Sequence, residues 1–203
     1  MTIVLGLTGS IATGKSTVLS LFSELGALVR SADQTVHMLY AGRAAEAVEN
    51  RFPGTVVDGV VDRVRLAKKL LETPALFAEL EAIIHPMVRE ETFAFLEAAR
   101  VAGRTVVVLE IPLLFETGAP YPLDATVVTW CDPQVQRKRA LARSGMTVEK
   151  LQAILARQIG QTEKMARADY RIDTGRGLGK TREQVAEVLA DCQRKRKDRE
   201  ETQ

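Results

Sequence analysis

The stretch Gly9-Ser10-Ile11-Ala12-Thr13-Gly14-Lys15-Ser16-Thr17 fits the pattern G-x-x-x-x-G-K-[ST] at every fixed position. In such a loop the glycines free backbone N–H groups to wrap phosphate oxygens. The lysine reaches the β- and γ-phosphates, and the hydroxyl after it ligates Mg²⁺. An apolar run, Ile3 to Leu7, enters the loop, and helix-forming Val18-Leu19-Ser20-Leu21-Phe22 leaves it. The helix start adds the positive end of its dipole. The expectation is a nucleoside triphosphate site. The alternative, an accidental glycine turn, leaves the agreement of strand, loop and helix unexplained.

Other side chains could complete the chemistry. Asp33 closes an apolar run at Ser31-Ala32-Asp33, and ligands of an α/β sheet gather at the carboxyl ends of its strands. A carboxylate there can take or orient the proton of an attacking hydroxyl; its plainer role is to cap the next helix. Glu110 ends the run Val106 to Leu109 and is a candidate for holding Mg²⁺ through water. Glu116, after Pro112-Leu113-Leu114-Phe115, either contacts an acceptor or caps a turn. Arg139 and Arg143, four apart, are expected on one helix face. As part of a mobile lid they would neutralise charge building on a transferred group; the alternative is a solvated basic face.

The elements that must position these groups follow from the hydrophobic pattern. Ala27 to Val29, Thr105 to Ile111, Ala125 to Trp130 and Tyr170 to Ile172 read, with the first run, as buried parallel strands separated by helices. The expected fold is α/β, a five-stranded parallel sheet flanked by helices, with the phosphate loop after its first strand. Residues 34 to 104 are too many for a simple crossover. They read as helices over 34–51, 63–72, 74–84 and 86–102. Thr73-Pro74 is the expected start of the third, and His85-Pro86 is expected to end it and begin the fourth. This insertion is a candidate substrate-binding subdomain; the bland alternative is an elaborate crossover. One domain is expected: a core of about 1–33, 104–135 and 165–203, a helical insertion of about 34–103, and a lid of about 136–164.

At 203 residues the chain can bury a sizeable core, and with 46% hydrophobic and 27% charged residues its composition is that of a globular protein. A net charge of +2 gives no reason to expect a nucleic-acid partner. The basic cluster from Gln193 to Arg199 reads as a solvated helix end, soon followed by acids. Two cysteines without metal-ligand spacing, no apolar run of membrane-span length and no basic region before the first apolar run point to the cytoplasm. No N-K-x-D or D-x-x-G sequence is present, which speaks against a GTPase, and no Asp-Glu pair follows a strand to polarise water.

With these motifs in order, the sequence resembles the dephospho-coenzyme A kinase family from Leu5 to about Val188. The matching features are Gly6 to Gly9 running into the phosphate loop, Ala32-Asp33, Ile84-His85-Pro86 and Pro112 to Glu116. Arg139 with Arg143, Gln158, and Ala168 to Asp173 complete them. Three departures from the family pattern stand out. Ser31 replaces the usual first acid of Asp-Ala-Asp, Ala12-Thr13 replace Gly-Ser, and Thr174 replaces a common Asn, which bears on a polar contact near adenine.

The resemblance implies transfer of the ATP γ-phosphate to the ribose 3′-hydroxyl of dephospho-coenzyme A. It implies Lys15, Asp33 and Arg143 as catalytic groups, with Gly9, Ala12, Thr13, Gly14, Ser16, Thr17 and Arg139 also at ATP. Asp33, His85, Leu113 and Glu116 would meet the acceptor, and Ser16 with Glu110 would hold Mg²⁺. No nucleic-acid or membrane partner is implied, and nothing signals an oligomeric state. Another small-molecule or nucleotide kinase of this fold, or a non-catalytic ATP sensor, are the alternatives; Asp33 and the arginines argue against the sensor.

Overall fold

Strand β1 (Ile3–Gly9) is buried at every residue, as a strand covered on both faces must be. The computed structural model describes residues 1–118 and 121–201. Along them follow α1 (Lys15–Glu24), β2 (Leu28–Ser31), α2 (Ala32–Tyr40), α3 (Ala45–Arg51), β3 (Val56–Val57), β4 (Val60–Val61), α4 (Arg63–Glu72) and α5 (Leu76–Val101). Then come β5 (Val106–Glu110), α6 (Leu114–Thr117), β6 (Ala125–Trp130), α7 (Pro133–Leu141), α8 (Val148–Leu155), α9 (Gln161–Arg167), β7 (Tyr170–Asp173) and α10 (Leu178–Glu201). Two compact units result, residues 1–30 with 99–203, and residues 31–98. The second unit's borders differ by a few residues from those expected of the insertion. The last two residues of the expected core lie outside the described ones.

The expected five-stranded parallel sheet is present, in the order β2-β5-β1-β6-β7. β1 pairs in parallel with β5, Leu7 opposite Glu110, and with β6, Gly9 opposite Thr129; β6 pairs with β7, Trp130 opposite Asp173. The carboxyl ends of these four strands therefore share one edge, where the chain segments after Gly9, Glu110, Trp130 and Asp173 gather. Ile3, Leu5 and Leu7, alternating along β1, join Val18 and Phe22 of α1 and Val185, Leu189 and Cys192 of α10 in the main core. Burying a ring such as that of Phe22, 0% exposed, contributes about 1.5–3 kcal/mol. A smaller cluster, Ala12 with Ala140 and Leu151, ties the phosphate loop to α7 and α8. Both cysteines, Cys131 after β6 and Cys192 on α10, are buried free thiols, and burial raises the pKa of each.

The second unit has its own core of Leu39, Tyr40, Val48, Phe52, Leu66, Leu70, Ile84 and Val88. Helix α4 spans the residues expected, opened by Asp62, whose side chain accepts the N–H groups of Val64 and Arg65. Three expectations are corrected here. The helix foreseen over 34–51 is divided into α2 and α3, the chain turning where the Gly42 N–H bonds to the Leu39 carbonyl, 3.1 Å. Thr73 closes α4 instead of capping the next helix, and α5 begins at Leu76.

Most importantly, α5 runs unbroken through Pro86. A proline inside a helix costs about 3 kcal/mol through its missing N–H and ring clash. Ile84 and Val88 are buried on either side of it, with Leu80, Ile83 and Met87 partly buried on the same core. Their packing offsets that cost, and Pro86 and Ala82 both lie exposed, where water can satisfy the freed carbonyl. The β3–β4 hairpin was not foreseen. Its Asp58-Gly59 turn has φ of 51° and 79°, the left-handed pair that two-residue hairpins need.

Candidate active site

The phosphate loop is built on two glycines that cannot be replaced in place. At Gly9, φ 153°, a Cβ would collide with the Thr129 hydroxyl and lie 2.8 Å from the Thr13 hydroxyl oxygen. At Gly14, φ 89°, it would press on Thr174 at 3.1–3.2 Å. Between them Ala12 takes φ 60°, a left-handed conformation unusual without glycine. The Thr13 hydroxyl bonds the Ser10 carbonyl and the Thr129 hydroxyl, both at 2.8 Å, and so anchors the loop to β6. Lys15 Nζ donates to the Gly9 carbonyl at 2.8 Å and the Ser10 carbonyl at 3.2 Å. Ser16 and Thr17 are exposed in the first turn of α1, where backbone N–H groups lack helical partners and the dipole favours an anion.

A cleft of about 330 Å³ opens on this loop, lined by Ala12, Gly14, Thr17, Arg139, Arg143, Thr174 and the start of α10. α7 ends at Leu141, so Arg143 lies beyond the helix and not on its face as expected. Its N–H bonds the Ala140 carbonyl at 3.1 Å, a tightened last turn that keeps it beside Arg139 at the cleft. Thr174 holds Arg139 by a fork: the hydroxyl accepts from Nη1 at 2.9 Å and the carbonyl from Nη2 at 2.8 Å. The same hydroxyl donates to the Thr13 carbonyl at 2.9 Å. One residue thus fixes both an arginine and the loop. The sequence marked Thr174 only as a departure, because a threonine's partners are set by tertiary contacts. A wider cleft of about 430 Å³ beside Trp130 and Met165 includes no phosphate-loop residue; chemistry, not volume, selects the site.

The acids divide between the units. Glu110 is 7% exposed at the end of β5. Among the described residues no three His, Cys, Asp or Glu side chains cluster as a metal cage. Mg²⁺ in kinases uses one or two carboxylates plus substrate phosphates, so the donor set of Ser16 and Glu110 fits that ion. Leu113, 38% exposed, precedes α6. Glu116 Oε1 lies 2.8 Å from Lys164 Nζ and accepts the Ile159 N–H at 3.1 Å. Lys164 is wholly buried and is held there by charge, without a well-aligned hydrogen bond among the described residues.

Asp33 and His85 belong to the second unit. Asp33 is exposed in the first turn of α2, and the N-cap position is held by Ser31, so capping is not its role. His85 is exposed within α5 instead of at a helix boundary. The loop and the two arginines are therefore brought into one cleft, while Asp33 and His85 are set by the helices of their own unit.

A set of glutamines behind the loop was not foreseen as such. Gln158 Oε1 accepts the Ile11 N–H at 3.0 Å, and Gln136 Nε2 donates to the Ile11 carbonyl at 2.8 Å. Gln161 Nε2 donates to Gln136 Oε1 at 3.0 Å, and its own Oε1 accepts the Cys131 N–H at 3.1 Å. Only Gln158 was singled out in the sequence, and only as part of a resemblance.

Comparison with known proteins places the chain in a family. A family model described as dephospho-CoA kinase matches residues 3–180. A dephospho-CoA kinase of Mesorhizobium japonicum is 54% identical over 187 residues, 92% of this chain and 95% of that one. One from Rhizobium meliloti is 49% identical over 189 residues, 93% of this chain and 97% of its own. A crystal structure of a Thermus thermophilus protein, 32% identical, superposes with a TM-score of 0.78 over 94% of this chain and 97% of that one.

Proposed function

The chain belongs to the dephospho-CoA kinase family, and from that we propose that it transfers the γ-phosphate of ATP to the ribose 3′-hydroxyl of dephospho-coenzyme A, releasing coenzyme A and ADP. The observation that supports this most is the cleft in which the phosphate loop meets Arg139 and Arg143. Cations and loop amides fixed before the reaction stabilise charge on a transferring phosphoryl group without reorganising.

In this reading Gly9, Ala12, Thr13, Gly14, Lys15, Ser16 and Thr17 bind the triphosphate, Lys15 at its β- and γ-phosphates. Arg139, preset by Thr174, neutralises ground-state charge. Arg143, exposed past the helix end, adds its charge as the transition state forms. Ser16 and Glu110 would hold Mg²⁺, which when bound neutralises the phosphate oxygens. Asp33 accepts or orients the proton of the attacking hydroxyl, and His85, Leu113 and Glu116 belong to acceptor recognition. Residues 136–164 act as the lid. No helix among the described residues is long and apolar enough to cross a membrane, and we place the reaction in the cytoplasm.

The test is ATP turnover against a panel of acceptors, dephospho-coenzyme A and common nucleosides among them, with the position of the new phosphate determined by NMR. Phosphate on the 3′-hydroxyl of dephospho-coenzyme A, at a rate well above the other acceptors, is expected. Faster transfer to another alcohol would make the chain a kinase of different substrate. ATP binding without transfer to any acceptor would make it a sensor.

A further inference from the structure

The glutamine chain has a fixed polarity. At one end stands the Cys131 N–H, which can only donate, and at the other the Ile11 carbonyl, which can only accept. The side-chain amides of Gln161 and Gln136 between them are thereby oriented: each oxygen faces the Cys131 end and each nitrogen the Ile11 end. Gln158 acts on the preceding peptide, accepting the Ile11 N–H, and is steadied by its neighbour Ile159, whose N–H is bound by Glu116.

Two successive peptide planes of the phosphate loop are therefore gripped from behind. All described peptide bonds are trans, and in a trans peptide the carbonyl and the N–H point in opposite directions. The grip of Gln136 on the Ile11 carbonyl thus turns the Ala12 N–H the other way, and Ala12 lines the cleft with Gly14 and Arg139. This orientation needs holding. Ala12 sits at φ 60°, which a non-glycine residue disfavours and which rotation of the neighbouring peptide would relieve.

We propose that Gln136 and Gln158 are positioning residues for phosphoryl transfer: from behind the phosphate loop they fix the Ile11 peptide groups and so aim the Ala12 amide at the phosphates of the donor. The proposal rests on the reading that this loop holds ATP. It gives the segment between α8 and α9 a role in nucleotide binding without touching the nucleotide.

The same chemical change at the two positions tests it. Gln136→Glu removes the donor that the Ile11 carbonyl needs, whereas Gln158→Glu keeps the acceptor that the Ile11 N–H needs. Both add a negative charge, so the difference between them reads hydrogen-bond polarity. At about neutral pH, kcat/KM for ATP should be at least about tenfold lower in Gln136→Glu than in Gln158→Glu, the size of one buried carbonyl left unpaired. The KM for dephospho-coenzyme A should match in the two variants. The gap should narrow as pH falls from about 8 to about 5.5, where a buried glutamate takes up a proton and can donate again.

Gln158→Met should lose about tenfold in kcat/KM for ATP. Equal kcat/KM for ATP in the two glutamate variants overturns the proposal. So does a gap shared equally by both substrates and unchanged with pH. Calorimetric ADP binding keeps the two readings apart. A parent that binds ADP but transfers to no acceptor sinks the proposed reaction, while the variants' ADP affinities still decide the positioning role.

Discussion

The ammonium of Lys15 already lies across the loop it serves, 2.8 Å from the Gly9 carbonyl oxygen and 3.2 Å from that of Ser10. Its loss should leave the fold intact, because the side chain is only partly buried and sits outside the core clusters. Lys15→Ala is expected to fold and to lose about 10²–10³ in kcat, the cost of removing one preorganised charge donor; near-normal turnover would move the chemistry elsewhere. Ser31 holds the cap position of α2, so the structural contribution of Asp33 is limited to favouring the helix dipole from the first turn. Asp33→Asn should change stability by less than about 1 kcal/mol. Its single-turnover transfer should fall by about 10²–10⁴-fold, toward the lower end because a loose transition state asks little early proton removal. Unchanged transfer would leave Asp33 no part in the chemistry.

Among the elements, α5 and α10 yield the sharpest expectations. Pro86→Ala restores a backbone N–H to the middle of α5 and should raise stability by about 1–3 kcal/mol in urea unfolding. A decrease would mean that the helix depends on the proline's geometry. On α10, Asp191 accepts the Tyr170 hydroxyl and lies 3.0 Å from Lys195 Nζ, tying the helix to β7. The Tyr170 hydroxyl bond and the Lys195 bond bring the Asp191 pKa down from 3.8 to about 2. Tyr170 is pushed up to about 12, by burial first and by Asp191 second. The carboxylate's contribution is therefore complete above the unfolded pKa and fades as pH falls from about 4 through about 2. Asp191→Asn should flatten that part of the stability profile; an unchanged slope would assign the acid sensitivity elsewhere.

The strands and α4 were legible because each is a local pattern, a β-branched run or an apolar periodicity with its own cap. Continuity through Pro86 was not, because local rules score the proline and only the tertiary core scores Ile84 and Val88 together. The two-residue strands β3 and β4 are too short to read from alternation, although Asp58-Gly59 was a usable signal.

For the whole molecule, the cleft on the phosphate loop falls entirely within the unit of residues 1–30 and 99–203. A ligand that binds only the folded form stabilises it by mass action, by about 2.7 kcal/mol at 100 times its Kd. ATP at that ratio should raise the melting temperature of the parent, and Lys15→Ala should lose most of the shift at the same concentration. No shift in the parent would contradict nucleotide binding. The phosphate loop was the most readable part of the site because its chemistry is carried by backbone and spacing. The Thr174 fork, the glutamine chain and the buried Lys164–Glu116 pair were not readable, since each joins residues distant in sequence whose types alone suggest surface. A lysine with no exposed surface is the clearest case: nothing near Lys164 in the chain announces that a carboxylate from α6 will meet it.

The two buried cysteines have a practical consequence. Neither thiol is exposed, and burial raises the pKa of both, so little thiolate is available to an alkylating label at neutral pH. The native sequence can therefore serve as its own cysteine-silent background. A single thiol introduced at exposed Gln152 on α8, paired with one at exposed Ser20 on α1, would take up spin or fluorescent probes at those points alone. Distance distributions between the two probes, with and without nucleotide, would then show whether α8 moves as the proposed lid should, in a chain that needed no prior cysteine replacement.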